Sequence, residues 1–135
     1  KYGIQTLNKS SIGKAIASNT IKNAKTSGIL IGSISNTLKI EKNKISGCSN
    51  AGIYNQPATT KYKITATNNT ITGNKKGSGF TIRKANILIN KNKISKVTFG
   101  VYADKKCKGN VYANKISKVT KKKVYTDTKK VKLKK

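Results

Sequence analysis

The chain has 135 residues, with 30 Lys and Arg against three Asp and Glu, no His and two Cys, for a formal charge of +27 at pH 7. The absence of His excludes a His-based catalytic triad and a His metal site, and three acidic residues are too few for a carboxylate cage around calcium. Apolar runs such as residues 29–31 are far too short to span a membrane, so no membrane span is expected.

Five copies of a repeat follow one another along the chain. Each copy starts at an Asn, and successive copies lie 24, 26, 23 and 22 residues apart. The second residue after each Asn is always Ile, which gives the column Ile21, Ile45, Ile71, Ile94 and Ile116. Hydrophobic residues make up only 35% of the chain, a composition typical of disorder, but this regular pattern indicates a repeat fold instead.

A second column is a Gly followed by an apolar residue, which comes eight to ten residues after the Asn. Its members are Gly3-Ile4, Gly28-Ile29, Gly52-Ile53, Gly79-Phe80 and Gly100-Val101, and Lys123-Val124 occupies the same position in the last copy. The column extends the repeat over nearly the whole chain.

Each repeat contains three short runs in which apolar and polar residues alternate, such as residues 38–40, 44–46 and 52–54. Alternation places the apolar residues on one face of a strand, and runs this short, separated by turn residues, are typical of strands rather than helices. One repeat cannot enclose a core, but repeats stacked about 4.8 Å apart turn each column into a continuous apolar stripe. We therefore expect coils of three short strands closed by three turns.

The repeated Asn has two physical explanations at one turn of the coil. Asn tolerates the left-handed backbone conformation that suits a tight bend. Stacked Asn side chains can also form hydrogen bonds from one coil to the next, as ladders of identical residues do. We expect a structural ladder of Asn19, Asn43, Asn69, Asn92 and Asn114.

The Asn-x-Ile motif, with Gly-Ile or Gly-Val about nine residues later, resembles the repeat of the right-handed parallel β-helix of the pectate-lyase-like superfamily. The resemblance covers essentially the whole chain and implies an all-β, right-handed parallel β-helix of about five to six coils, with three short strands per coil and an Asn ladder at one turn. It also implies that the Asn lies between the second and third strands. The Gly-Ile run is then the first strand, whose outer face usually carries the sugar-binding cleft of this superfamily.

Both ends of the sequence fall part-way round a coil. Residues 1–6 match a first strand, and after Val131 and Leu133 the next Asn would fall at position 136. Solenoids normally carry polar caps, and the sequence suggests none at either end. We expect residues 1–135 to form a single β-helix segment, either the C-terminal portion of a longer solenoid or a unit that stacks end to end.

The outward positions of the first strand gather residues suited to carbohydrate binding. The second position after the Gly column also places Gln5, Leu30 and Thr81 on this outer face. Tyr rings can support sugar rings, and Arg suits bidentate binding of carboxylates. The predicted carbohydrate-binding residues are Tyr54, Arg83, Tyr102, Asp104, Lys105, Tyr125 and Asp127.

Asp104 and Asp127 fall in one column on adjacent coils, so their backbones should lie about 4.8 Å apart. The carboxyl groups of retaining glycosidases are separated by about 5–5.5 Å, which makes the two residues candidates for catalysis. The alternative is a structural ladder in which Arg83 neutralises Asp104. For the Tyr column, the alternative is solvent-facing strand residues chosen for β propensity.

The resemblance does not identify an enzyme. Pectate lyases of this fold typically hold calcium with several acidic residues, and polygalacturonases use several Asp with a His; neither set is present in this sequence. No metal or cofactor is therefore expected. If the parent protein is a lyase, hydrolase or epimerase, its catalytic coils are expected upstream.

The two Cys residues occupy different positions round the coil. Cys48 falls in a small apolar column with Ala24 and Val97, which predicts a buried free thiol. Cys107 is expected in a turn between coils. A disulfide needs Cα atoms within about 7 Å, so an intramolecular bridge is not expected.

The excess of Lys over Arg has two interpretations, composition bias that favours solubility or salt-sensitive attraction to polyanions. No nucleic-acid-binding signature is visible. We interpret the chain as an extracellular or cell-surface module that binds an anionic polysaccharide or cell-wall polymer along its first-strand face. The first alternative is a non-catalytic structural solenoid, an adhesin stalk or a fibre unit that associates end to end. The second is part of a polysaccharide lyase, hydrolase or epimerase.

Overall fold

The computed structural model describes residues 1–6, 15–56 and 62–134, and the regular secondary structure within these ranges is β-strand. The strands are β1 (Ile4–Thr6), β2 (Ile16–Ala17), β3 (Thr20–Lys22), β4 (Ser27–Ile31), β5 (Leu38–Glu41), β6 (Lys44–Ser46), β7 (Ala51–Asn55), β8 (Lys63–Thr67), β9 (Thr70–Thr72), β10 (Ser78–Ile82), β11 (Asn86–Asn90), β12 (Lys93–Ala103), β13 (Lys108–Tyr112), β14 (Lys115–Thr126) and β15 (Val131–Lys134). A helix long and apolar enough to cross a membrane is not found in the described ranges.

The strands pair in parallel and wind into a β-solenoid of about five turns with three faces. Face A consists of β1, β4, β7, β10 and residues 99–103 and 122–126. Face B consists of β2, β5, β8, β11, β13 and β15. Face C consists of β3, β6, β9 and residues 93–97 and 115–119. The predicted all-β parallel solenoid is confirmed.

Strands β12 and β14 are longer than the sequence predicted. They have 11 and 12 residues and run from face C through the corner onto face A. The register between them shifts between Val97 and Phe99, where the chain turns the corner. The two faces are therefore joined by continuous strands in this part of the molecule, rather than by a separate turn.

The Ile column forms one stripe of the apolar core. Its five members are registered with one another from β3 to β14. Ile45, Ile71 and Ile94 are at most 2% exposed, and Ile116 packs half-buried against the same cluster in the last copy. Phe80 and Ile89 are fully buried members of the stripes from faces A and B. The predicted stacking of like residues is confirmed.

The Gly column is explained by the Ile column, because the Ile side chains occupy the space that a Cβ at each Gly position would need. A Cβ added at Gly52 would lie 2.5 Å from Cγ2 of Ile71 and 2.9 Å from the carbonyl oxygen of Gly79. Gly3 is limited in the same way by Ile21, whose Cγ2 would lie 2.5 Å from such a Cβ. Each Ile therefore packs against backbone at the point where face A begins.

The five ladder Asn residues form an unbroken chain of side-chain hydrogen bonds. Nδ2 of each of the first four Asn residues donates to Oδ1 of the Asn in the next coil at 2.9 Å. The same Oδ1 also accepts the backbone N–H of the preceding ladder Asn, for example from Asn43 to Asn69 at 3.0 Å. Asn43, Asn69 and Asn92 are fully buried. The predicted ladder lies between the second and third strands of each coil, as expected.

One of the two predicted reasons for the Asn is wrong. The left-handed residue at this turn is the one before each ladder Asn, with φ between 51° and 57°. These residues are Ser18, Lys42, Asn68, Lys91 and Ala113. The ladder Asn is selected for its side-chain hydrogen bonds, because the turn takes its left-handed backbone from a neighbour of varied type.

Both Cys residues are free and buried. Cys48 is 5% exposed in the small apolar column, which confirms the predicted buried thiol. Its Sγ lies 3.7 Å from the carbonyl oxygen of Ser46. Cys107 lies directly before β13 and is fully buried.

We expect Asn69→Ala to lower the free energy of unfolding by about 3 kcal/mol, because each buried polar group left without a partner costs about 1–3 kcal/mol. The Asn69 side chain donates to Asn92, Ile40 and Thr67 and accepts two bonds from Asn43. Urea unfolding followed by far-UV circular dichroism measures the change. Asn50 is exposed and supplies the matched control; Asn50→Ala should change stability by less than about 0.5 kcal/mol. Equal losses in the two variants would contradict the ladder.

Candidate functional site

The outward column of face A is registered as the sequence predicted. Pairing of successive strands aligns Leu30, Tyr54, Thr81, Tyr102 and Tyr125 across five coils. One expectation for this column is wrong, because Leu30 is 1% exposed and does not contribute to the outer surface. The part of the column that could contact a ligand therefore begins at Tyr54.

Two of the predicted Tyr residues form a parallel aromatic pair. The rings of Tyr102 and Tyr125 have centroids 5.2 Å apart and are parallel to within 8°. Phe99 joins them, with its centroid 5.7 Å from Tyr102 and 5.8 Å from Tyr125. The three rings make one continuous apolar patch across two coils.

Sequence reasoning missed Phe99. By strict alternation it would point inward like Val101, two residues later, but its ring contacts the two outward Tyr rings. The outward orientation of Phe99 could have been inferred from the sizes of the side chains in its column. The positions registered with it in the three preceding coils are Ser27, Ala51 and Ser78, all small and buried, and their place has no room for a phenyl ring.

Cationic groups surround the aromatic side chains. Nζ of Lys121 lies 5.8 Å from the centroid of Phe99, and Nζ of Lys122 lies 5.4 Å from that of Tyr125. The guanidinium carbon of Arg83 lies 5.8 Å from the centroid of Tyr54. Cations at this distance from a ring are attracted by its electron-rich face. The Arg83 guanidinium therefore lies over the Tyr54 ring. The structural ladder considered in the sequence analysis had instead expected Arg83 to neutralise Asp104.

Asp104 binds the backbone of its own turn and of the preceding coil. Its Oδ1 accepts the backbone N–H of Lys106 at 2.9 Å and that of Lys84 at 3.1 Å. The Cys107 thiol lies 3.4 Å from the same oxygen. Burial, together with the negative charge of Asp104, raises the pKa of Cys107 to about 11, so this thiol stays protonated at neutral pH. Asp104 thus holds the turn between β12 and β13.

Asp127 has a different partner. A hydrogen bond to Asp127, together with the charge of that carboxylate, raises the pKa of the Tyr125 hydroxyl. The two carboxylates lie one position beyond the registered pair Ala103–Thr126, in one column on adjacent coils. Asp104 accepts backbone N–H groups and Asp127 acts on a Tyr hydroxyl, so the two carboxylates have different surroundings.

An open groove of about 470 Å³ brings most of the predicted residues together. It is lined by Arg83, Lys84, Tyr102, Asp104, Lys105, Lys106 and Asp127. Tyr125 lies beside the groove through its contact with Tyr102, and Tyr54 through its contact with Arg83. A groove with rings, cations and two hydrogen-bond acceptors can hold a polar ring that carries a negative charge. Within the described residues there is no group of three or more His, Cys, Asp and Glu that could hold a metal ion.

Comparison with known proteins gives one match. The family model for the right handed beta helix region matches residues 34–134. The curated proteins contain no match, and neither do the solved structures.

We expect Asp127→Asn to lower the pKa of Tyr125 towards the ordinary value of tyrosine, because the variant removes the negative charge that opposes ionisation of the hydroxyl. An NMR titration of tyrosine labelled at the ring carbon bearing the hydroxyl, assigned with Tyr125→Phe, measures this pKa. Asp104→Asn is the control, since Asp104 does not contribute to the shift. A Tyr125 pKa that stays raised in Asp127→Asn would show that the contact is absent in solution.

Proposed function

Because the chain belongs to the right-handed beta helix family, we propose that it is a solenoid module of a secreted or cell-surface protein and binds an anionic polysaccharide along face A. The observation that carries the proposal is the parallel Tyr102–Tyr125 pair, which lies beside a groove containing Arg83, Lys105 and Lys106. The rings provide apolar contact for the C–H faces of sugars, and the cations attract the carboxylate of each unit.

The direction of the groove favours a polymer over a single sugar. Its residues come from three successive coils, and the rings beside it extend from Tyr54 to Tyr125 along the solenoid axis. Neighbouring coils are about 4.8 Å apart, so the aromatic and cationic groups recur at intervals comparable to the length of one sugar unit. A chain lying parallel to the axis would contact several coils at once.

The partners of the two carboxylates favour binding over catalysis. Asp104 accepts two backbone N–H groups, and Asp127 acts on the Tyr125 hydroxyl, whose pKa it raises. A carboxylate that holds a turn is poorly placed to exchange protons with a substrate. We therefore assign the acceptors of the groove to hydroxyl groups of the sugar, and we assign no reaction to this chain.

A structural solenoid without a ligand is the second candidate function. It is favoured by the continuous Asn ladder and by the two backbone hydrogen bonds of Asp104, which stabilise the rod whether or not anything binds to it. In an adhesin stalk of this kind, face A would be an outer surface that binds no ligand. The two candidates differ in what the aromatic residues contribute to binding.

We expect the double variant Tyr102→Ala, Tyr125→Ala to weaken binding to polygalacturonate by about tenfold, equivalent to about 1.4 kcal/mol, because it removes two of the three rings of the apolar patch and leaves every Lys in place. Retention on an immobilised polygalacturonate column, measured from low to moderate salt, checks this. Tyr2→Ala is the control, since Tyr2 lies near the opposite end of the solenoid and the net charge is again unchanged.

The salt series separates the two candidate functions. If face A binds sugar, the difference between wild type and the double variant persists at moderate salt, where the attraction of scattered Lys residues is screened. Equal retention of the wild type and the double variant at every salt concentration would leave only non-specific charge attraction and would favour the structural solenoid.

A further inference from the structure

Face C has an outer surface of uniform chemistry. Each of its strands has two outward positions, on either side of the buried Ile, and in all five coils both positions carry Lys, Ser or Thr. The first position is occupied by Thr20, Lys44, Thr70, Lys93 and Lys115. The second is occupied by Lys22, Ser46, Thr72, Ser95 and Ser117. No outward residue of these strands is acidic, aromatic or aliphatic.

The two columns lie side by side on a flat parallel sheet. Register pairing aligns the members of each column on neighbouring coils, which are about 4.8 Å apart. The four Lys side chains are exposed, and across β9, β12 and β14 lies an open groove of about 290 Å³ lined by Thr70, Lys93, Ile94, Ser95, Lys115 and Ser117. Lys96 and Lys118 follow the Ser column directly and are exposed as well.

Face C differs from both other faces. The outward column of face A carries Tyr, Thr and Gln, and its Lys residues are confined to the last coil and the turns. Face B also has a basic groove, but its outward positions include Glu41, Leu88 and Tyr112. Only face C, among the three faces described, carries cations and hydroxyl groups alone at its outward strand positions.

We propose that face C binds a linear polymer whose repeating units are joined by phosphodiester groups. Lys is a compact cation without the planar fork that matches Arg to carboxylates, and it is a frequent binder of phosphate. Ser and Thr hydroxyl groups donate hydrogen bonds to phosphate oxygens. Four of the five strands carry one Lys and one Ser or Thr on either side of the buried Ile, so each of the four offers both kinds of donor to a phosphate, and the middle strand, β9, offers two Thr hydroxyl groups.

The composition of face C also distinguishes among phosphate polymers. Proteins that bind single-stranded nucleic acid stack bases on aromatic side chains, and the outward positions of this face have none. Attachment to a bilayer usually adds apolar side chains that enter the interface, and these are missing here too. A phosphodiester polymer of small polyols, which has neither bases nor acyl chains, fits the surface best.

The experiment measures binding of a synthetic poly(glycerol phosphate) to the whole chain at several salt concentrations. The variant Lys44→Gln, Lys93→Gln, Lys115→Gln removes three charges from face C. We expect it to weaken binding at least tenfold near 0.1 M salt and to reduce the slope of log K against log salt by about 2, since each phosphate contact contributes about 0.7–0.9. The matched control Lys39→Gln, Lys108→Gln, Lys130→Gln removes three exposed charges from the side of face B and should leave the slope nearly unchanged.

A second variant tests the hydroxyl groups. Ser95→Ala, Ser117→Ala keeps every charge, so we expect several-fold weaker binding of the phosphate polymer with an unchanged salt slope and no effect on polygalacturonate. All substituted positions are at the surface, and unchanged far-UV circular dichroism and melting temperature confirm that the fold is intact. The Tyr102→Ala, Tyr125→Ala variant should bind the phosphate polymer like the wild type, so failure of the face A proposal and of this one are distinguishable.

Three results would overturn the proposal. Equal weakening of poly(glycerol phosphate) binding by the face C and control triple variants would show that binding depends only on the net charge of the protein. Tighter binding of a single-stranded oligodeoxynucleotide than of poly(glycerol phosphate), at equal phosphate concentration, would identify the face as a nucleic-acid surface. Tighter binding of vesicles containing anionic lipid would identify it as a membrane surface.

Discussion

Hydrogen bonding between buried Asn side chains is the interaction on which the solenoid depends. At the turn between faces B and C, Asn43, Asn69 and Asn92 are fully buried beside backbone N–H and carbonyl groups that need hydrogen-bond partners. Each Asn side chain meets this need from both sides, since Nδ2 of Asn69 donates to the carbonyl oxygen of Ile40 and its Oδ1 accepts the N–H of Asn43. A buried backbone group without a partner is costly, so the ladder is what allows a chain with so little apolar surface to place three strands per coil around one core.

The interior was predictable from the sequence because its requirements repeat with every coil. Each added coil presents the same space to the same position, so Ile45, Ile71 and Ile94 recur in register and Gly52 leaves room for the next Ile. Two features that sequence reasoning missed occur only once. Leu30 is buried in a column predicted to face outward, and Phe99 turns out at a local register shift. Periodicity carries no information about a change that happens once.

The candidate site was predicted in part for the same reason. The column of Tyr102 and Tyr125 follows from the repeat, and the structure brings their rings together. The roles of the charged residues depend on single contacts that spacing does not encode. Asp104 binds backbone in the preceding coil and Arg83 lies over Tyr54, although a pairing by charge alone would have joined these two residues to each other. The repeated strand register thus determines the column in which each side chain lies, whereas single local contacts determine its hydrogen-bond and charge partners.

Lys residues occupy left-handed backbone positions at several corners of the solenoid. The corner after face C is left-handed in four of the five copies, at Asn23, Gly47, Lys96 and Lys118. Gly and Asn adopt this conformation readily, whereas a residue such as Lys is disfavoured there by about 1 kcal/mol. Nothing in the backbone favours Lys at the last two corners. Both residues adjoin Ser95 or Ser117 on face C, where two further ammonium groups extend the cationic surface. The same cost is accepted at Lys42 and Lys91, at the turn between faces B and C, so a left-handed Lys is a general feature of the corners of this solenoid rather than a mark of face C.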